Sequence, residues 1–308
     1  MSGISGVQLQ SLEARWGREP GVRFEERFGG TVAVLEAAGS TAIVAVQGAQ
    51  VLSWRLAGQS DDVLWLSPVA KLGTGKAVRG GVPICWPWFG PHPLDPTLPA
   101  HGFVRAVPWR VLGSAASPSR ARLVLEFATG VVDPAVWPHS ARSEIEITVG
   151  ETLTIALSTD NLGSEPFCLT QALHTYIAVG DVGRVVVTDL AGRTYIDQID
   201  GNARRIQRGG IQFAGEVDRI YQGSPDDIVV TDRSLGREIR VSKSGSSSTV
   251  VWNPGREKAQ RLGDMGEDGY KRMLCIETAN AGDDAVTLAS RARHRIHSEI
   301  RVRSLEPM

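Results

Sequence analysis

Cysteine is scarce in this chain. Cys85, Cys168 and Cys275 are the three in 308 residues, far apart and odd in number. That excludes a disulfide framework and fits a reducing compartment. No two of them have zinc-ligand spacing. Long apolar runs are missing as well: nothing approaches the roughly 20 residues that span a bilayer. The start, Met1 to Gly6, lacks the basic and apolar regions of a signal peptide. A cytoplasmic protein with no membrane partner is the expectation. Net charge is nearly absent, with 33 basic against 34 acidic residues. No polyanion-binding surface is implied, so nucleic acid is not an expected partner. One anionic group on a small molecule needs only two or three local cations and stays open. The chain also lacks a G-x-S-x-G elbow, a phosphate loop and a dinucleotide-binding glycine fingerprint. No Pro/Ser-rich linker divides it, and no long segment has a convincing helical period.

Strand patterns are what remains. Glu144 to Val149 alternates polar and apolar residues, and Thr152 to Ser158 does the same beyond Gly150, which reads as a hairpin. Short apolar runs at Thr31 to Leu35, Ala42 to Val46, Val51 to Trp54, Leu123 to Phe127, Arg184 to Thr188, Ile228 to Thr231, Glu238 to Val241 and Thr249 to Trp252 continue the theme. Strands at close, even spacing predict an all-β antiparallel sandwich rather than βαβ units. Ser242 to Ser248 reads as a hairpin loop. One domain is expected, with residues 25–300 as the sandwich core and residues 1–24 as an N-terminal wrap or weakly ordered segment.

Against this background one stretch stands apart. Arg79-Gly80-Gly81-Val82-Pro83-Ile84-Cys85-Trp86-Pro87-Trp88-Phe89-Gly90 is followed by His101-Gly102-Phe103-Val104-Arg105, and six of the sixteen prolines fall between Pro83 and Pro99. Prolines and glycines at this density exclude a helix. A long irregular segment rich in aromatics is usually a binding loop. Its aromatics offer flat apolar faces and its arginines offer forks for an anion. The alternative is a loop that folds over the core and buries its own tryptophans, with Arg79 merely tying the Gly80-Gly81 turn.

Three further residues can do chemistry. Gln171 to Ile177 reads as a strand with Ala172, His174 and Tyr176 on one face. Met273 to Glu277 is an apolar strand ending in a carboxylate, and Asp218 lies in another strand-like run. A histidine and a carboxylate on either side of a ligand make a general acid and base, but spacing alone pairs none of these residues. His294 and His297 read as a solvated edge, and His92 and His101 as parts of a ligand loop, so no metal is expected.

Taken together, Gly48-Ala49-Gln50-Val51-Leu52-Ser53-Trp54, the Arg79–Gly90 and His101–Arg105 runs, Leu173-His174-Thr175-Tyr176, Val251-Trp252-Asn253-Pro254 and Cys275-Ile276-Glu277-Thr278 resemble the aldose 1-epimerase superfamily, within it the glucose-6-phosphate 1-epimerase branch. The motifs occur in family order across most of the chain. The resemblance implies a large sandwich of the galactose-mutarotase type and a cofactor-free isomerase acting on a phosphorylated sugar, with a monomer as the family expectation. It implies His174 as general acid and Glu277 as general base, starting protonated and ionised respectively. Arg79 and Arg105 would face the 6-phosphate, Asp218 would bond sugar hydroxyls and His101 would lie near the site. Trp86, or Trp88, would wall the pocket. Ala100 stands where some relatives carry a polar residue, which implies one ligand contact fewer. Gly255-Arg256 stands where relatives often show an aromatic, which implies a wider or re-aimed rim. Two other readings share most of these residues: a mutarotase for unphosphorylated sugars and a non-catalytic carbohydrate-binding domain.

Overall fold

Period-two alternation builds most of the molecule, as seen in a computed structural model that describes residues 3–59, 61–73 and 75–305. Met1 and Ser2 of the expected N-terminal wrap, and residues 306–308, lie outside the described residues. Two eight-stranded antiparallel sheets dominate. The far sheet runs, in spatial order, through Val185–Thr188, Asp227–Asp232, Arg237–Ser244, Arg293–Ser304, Leu153–Asn161, Ala141–Val149, Ala121–Ala128 and Arg110–Ala116. The predicted hairpin sits within it, with Val149 opposite Leu153 and Ile145 opposite Leu157. Ala141–Val149 alternates buried and half-buried residues along its whole length, one face in the core and one toward water.

The near sheet runs through Ala203–Ile206, Thr194–Asp197, Val217–Gln222, Ser248–Asn253, Met273–Asn280, Gln171–Leu173 and Ile84–Cys85, and Tyr176–Ala178 also pairs with Met273–Asn280. Leu173, Ile276, Val251 and Tyr221 point into the apolar layer between the sheets. The opposite face carries Ala172, Tyr176, Cys275, Trp252 and Val250, which form a second, smaller apolar cluster. A four-stranded sheet, Val22–Arg27, Gly30–Ala37, Ser40–Ala45 and Val51–Leu56, flanks both.

One local expectation changes, and two helices join the strands. Gly245 to Ser247 does not close a hairpin: it carries the chain from Arg237–Ser244 in the far sheet to Ser248–Asn253 in the near sheet. The hydroxyls of Ser246 and Ser248 both donate to Ala279 O, which satisfies polar groups inside the crossing. The N-terminal segment forms a helix, α1 (Gly3–Trp16), with Leu9, Leu12 and Trp16 against the core. A second helix, α2 (Gly255–Leu262), follows Pro254 and ends at Gly263, whose left-handed conformation and N–H bond to Ala259 O close the last turn. At Gly255 itself φ is +61°, and an added Cβ would lie 2.8 Å from Glu216 N. A larger residue is strained there on both counts.

Candidate active site

The near sheet brings the histidine and the glutamate together through register. Leu173 pairs with Thr278 and Tyr176 pairs with Cys275. Two residues intervene on each strand, so the register sets His174 opposite Glu277. Their Nε2 and Oε1 atoms are 3.4 Å apart. The strand predicted for Gln171 to Ile177 is interrupted at this point: the Thr175 amide turns back to Leu173 O, while the His174 amide donates to Pro83 O, next to the neighbouring Ile84–Cys85 strand. The proline-rich segment thus fixes the histidine backbone. Tyr176 stacks on the His174 ring at 4.8 Å and 10°, and Trp252 stands edge-on to both.

A cavity of about 380 Å³ opens over this face. Its wall includes Arg79, His101, Arg105, His174, Asp218 and Glu277, the expected site residues with one exception. A larger cavity, about 640 Å³, lies over the far sheet, but it is lined by residues such as Arg120, Glu146 and Glu299 with neither histidine nor aromatic. It has no acid–base pair to offer.

The exception is Trp86. It is fully buried, donates from Nε1 to Thr159 Oγ1 at 3.0 Å, and packs against Phe103, Phe127 and Trp137 between the sheets. Trp88 is buried beside the same aromatics. Neither walls the pocket. Alternation along Ile84-Cys85-Trp86 explains it: Cys85 belongs to the pocket-side cluster, whereas Ile84 and Trp86 belong to the core. The tryptophan of the pocket is Trp252.

The cations are held differently from one another. Arg79 Nε meets Asp264 Oδ1 at 2.6 Å and its Nη1 donates to the Tyr176 hydroxyl at 3.2 Å. Arg105 donates from Nη2 to Ala100 O at 2.6 Å, while its Nε is buried with no partner. Among the described residues Arg105 has no carboxylate within ion-pair distance. Ala100, the departure noted above, therefore serves through its backbone carbonyl. Asp218 accepts from Gln198 Nε2 and from Lys258 Nζ, the latter at 3.2 Å. Trp252, Gln198 and Lys258 are pocket residues that sequence reasoning did not assign. Lys258 could have been found: Pro254 and Gly263 bracket a short helix in the usual order, Pro at the start and Gly past the end.

His101 takes a left-handed φ of +64°, which costs a residue with a Cβ on the order of 1–2 kcal/mol. Gly102 after it is required, since a Cβ there would lie 1.8 Å from Trp86 O. This close approach packs the His101–Arg105 run against the Arg79–Gly90 run. His101 Nδ1 accepts from the Gly90 amide at 3.2 Å, so the ring proton sits on Nε2. Burial, then the charges of Arg105, Arg79 and Lys258, push its pKa down to about 3, and the ring is neutral at physiological pH.

The same physics revises the expected charges of the central pair. His174 is 7% exposed and Glu277 is 1% exposed. Burial, reinforced by the neighbouring basic groups, lowers the His174 pKa well below its usual value. Burial and the charge of Asp218 raise Glu277 well above the usual carboxylate range, against the pull of Arg105. Desolvation thus favours the neutral form at each residue, imidazole at His174 and carboxyl at Glu277. Desolvation at both residues opposes the expected imidazolium facing a carboxylate. His174 Nδ1 and Glu277 Oε2 are buried without hydrogen-bond partners.

Donor atoms of His174, Cys275 and Glu277 lie within 4.8 Å of one another. Burial holds the Cys275 thiol well above its usual pKa, which keeps it unreactive beside the pair. The donor chemistry fits an acid–base pair beside an inert thiol. Cys85, also fully buried, is pushed up to about 12 for the same reason. The His294 ring bonds Asn280 Oδ1 through Nε2 at 2.9 Å, a structural use.

Known proteins resemble this chain in sequence and in fold. The aldose 1-epimerase family profile matches residues 31–301. A protein of Escherichia coli K12, provisionally named glucose-6-phosphate 1-epimerase, is 38% identical over 255 residues, 82% of this chain and 84% of its own. One from Cenchrus ciliaris with the same provisional name is 34% identical over 251 residues, 78% of this chain and 75% of its own. Among crystal structures, YeaD of Salmonella typhimurium, provisionally a mutarotase, superposes with a TM-score of 0.86 at 32% identity, covering 96% of this chain and 99% of that one. A galactose mutarotase-like protein from Clostridium acetobutylicum, 15% identical, has a TM-score of 0.73 over 92% of this chain and 98% of its own, which attests the fold.

Proposed function

Because the chain belongs to the aldose 1-epimerase family, we propose that it interconverts the α and β anomers of glucose 6-phosphate and related hexose 6-phosphates. The observation that carries this reading is a buried His174–Glu277 pair in a cavity whose wall also holds Arg79 and Arg105. A phosphate ester carries about −1.5 to −2 charges near neutral pH. Arg105, free of any carboxylate among the described residues, is the natural first contact for it. A neutral sugar gives such a cation nothing to neutralise.

In the reaction Glu277 takes the proton from the C1 hydroxyl while His174 gives one to the ring oxygen. The bond between C1 and the ring oxygen breaks, leaving an aldehyde at C1. Rotation about C1–C2 presents the other face, and closure returns both protons with the roles reversed. The pair holds one transferable proton whether drawn as neutral or as ionised. Sugar hydroxyls donating to the carboxylate would stabilise the ionised arrangement that starts the cycle. Both transfers lie within reach of ordinary side chains, so the chemistry requires no cofactor. Asp218, with Gln198 and Lys258 holding it, would orient the ring through its hydroxyls. His101, as a neutral N–H donor, would sit beside the phosphate.

No helix among the described residues is long and apolar enough to cross a membrane. The three free cysteines and the near-zero net charge support a cytoplasmic enzyme of small phosphorylated sugars, without nucleic-acid or membrane partners. A monomer is the working expectation, which light scattering would check.

The test is the mutarotation of freshly dissolved α-glucose 6-phosphate, followed by polarimetry or a β-specific coupled dehydrogenase, with glucose alongside. Faster exchange of the ester than of glucose is the expected result. Acceleration of glucose alone would transfer the assignment to an unphosphorylated aldose, and no acceleration of either would remove the enzymatic reading. In the same assay Arg105→Ala should raise KM for the ester about 10- to 100-fold, the worth of a hydrogen bond to a charged group, and change the value for glucose far less.

A further inference from the structure

Not all the positive charge of the pocket comes from the two arginine motifs. Helix α2 places Lys258 and Leu262, one turn apart, on the cavity wall. Lys258 Nζ lies 2.8 Å from Glu216 Oε1 and 3.2 Å from Asp218 Oδ2. An ammonium has three donors, and these carboxylates take two of them. The side chain is about one-third exposed, 32%, so the head group is within reach of a ligand in the cavity. Its position relative to the arginines is also informative. Arg79, Arg105 and Lys258 line the same cavity as His101.

We propose that Lys258 is a specificity-determining residue that donates its remaining N–H to the phosphate of the substrate, so that phosphate and sugar are read through one side chain. The inference rests on the hexose 6-phosphate reading. Arg79 already faces Asp264, and Arg105 is a single cation against a group of nearly two negative charges. Lys258 is a compact charge on a flexible four-carbon stem, able to lean from Glu216 toward an anion without repacking the helix. As it leans, Asp218 sheds part of one partner and gains acceptor capacity for a sugar hydroxyl. A phosphate in place would therefore favour sugar binding at Asp218, which a neutral hexose cannot trigger.

Inorganic phosphate is the probe that isolates the point, since it has the anion and none of the sugar hydroxyls that Asp218 would take. Calorimetric titration of phosphate into the wild-type protein, Lys258→Met, Lys258→Arg and Glu216→Gln is the experiment, with circular dichroism confirming that each variant folds. Lys258→Met should weaken binding about tenfold or more, the loss of one charge-assisted bond. Lys258→Arg should restore most of it, and Glu216→Gln, by removing a competitor for the ammonium, should tighten it. An unchanged Kd in Lys258→Met would overturn the proposal and leave Lys258 as a positioning residue for Asp218 alone. So would a wild-type protein that binds no phosphate while still accelerating glucose 6-phosphate. The parent reading is judged separately, by whether the wild-type protein favours the ester over glucose.

Discussion

The two eight-stranded sheets are alike in size and built for different ends. In the far sheet Ala141–Val149 and Leu153–Asn161 pair without interruption over nine residues each, and the solvent face is a lattice of exposed ion pairs such as Arg122–Glu146 and Arg293–Glu144. In the near sheet every residue of Ser248–Asn253 and Met273–Asn280 is buried on both faces, and the strand carrying His174 is broken in the middle. Burial on the far sheet is mostly apolar, and the buried charged groups Asp232, Arg237 and Lys243 are each hydrogen-bonded to backbone. On the near sheet it encloses a histidine and a carboxyl whose charged forms it opposes. The difference teaches where stability resides and where it has been given up for chemistry.

Three changes would break or sharpen that contrast. The largest effect belongs to the far sheet. Leu157 is fully buried between the layers, and Leu157→Ala should cost about 2–5 kcal/mol in denaturant unfolding, as cavity-forming core changes do. The folded fraction should keep its kcat, so a proportional loss of specific activity would show that the sheets are not separable.

A smaller effect of opposite sign is expected on the near sheet. Glu277 has a folded pKa raised above its unfolded value. Its contribution is present below about pH 4.5 and is lost as pH rises through the folded pKa. Glu277→Gln cannot ionise, so the variant should melt above the wild type, by a margin that grows from pH 5 to pH 8. A lower melting temperature throughout that range would mean that the carboxyl is not held neutral at the expense of stability.

The smallest change is in the acid limb of kcat. The His174 pKa is lowered, so the singly protonated pair survives until pH falls well below 6.5, and activity should hold down to that point. The substrate phosphate titrates near pH 6, so kcat at saturating ester, rather than kcat/KM, is the quantity to follow. An acid limb centred at 6.5 would mean that His174 is effectively solvated.

The same contrast governs what was legible in the sequence. The Glu144–Ser158 hairpin is plain because one face meets water, so polar and apolar residues must alternate. The near sheet gives no such pattern, because loops and α2 cover its second face. Trp86 shows the consequence: an apolar residue in a doubly buried strand does not reveal which side it takes, and its parity from Cys85 becomes decisive only once Cys85 is placed. The pairing of His174 with Glu277 depends on a register that spans about a hundred residues of chain, and neither strand encodes it alone; the family resemblance supplied it. Helix α1 did carry a local signal, Leu9, Leu12 and Trp16 at helical spacing, obscured by the glycines before it. The protonation of the central pair was unreadable for a different reason. It depends on desolvation, a property of the assembled site rather than of either residue.

The most direct test of the account is exchange spectroscopy on equilibrated glucose 6-phosphate, which reports α–β interconversion at saturating substrate in the wild-type protein, His174→Gln and Glu277→Gln. Each substitution should slow exchange by about 10²–10⁴-fold while the ester still binds. Exchange at the wild-type rate in Glu277→Gln would contradict the claim that this buried pair moves the protons.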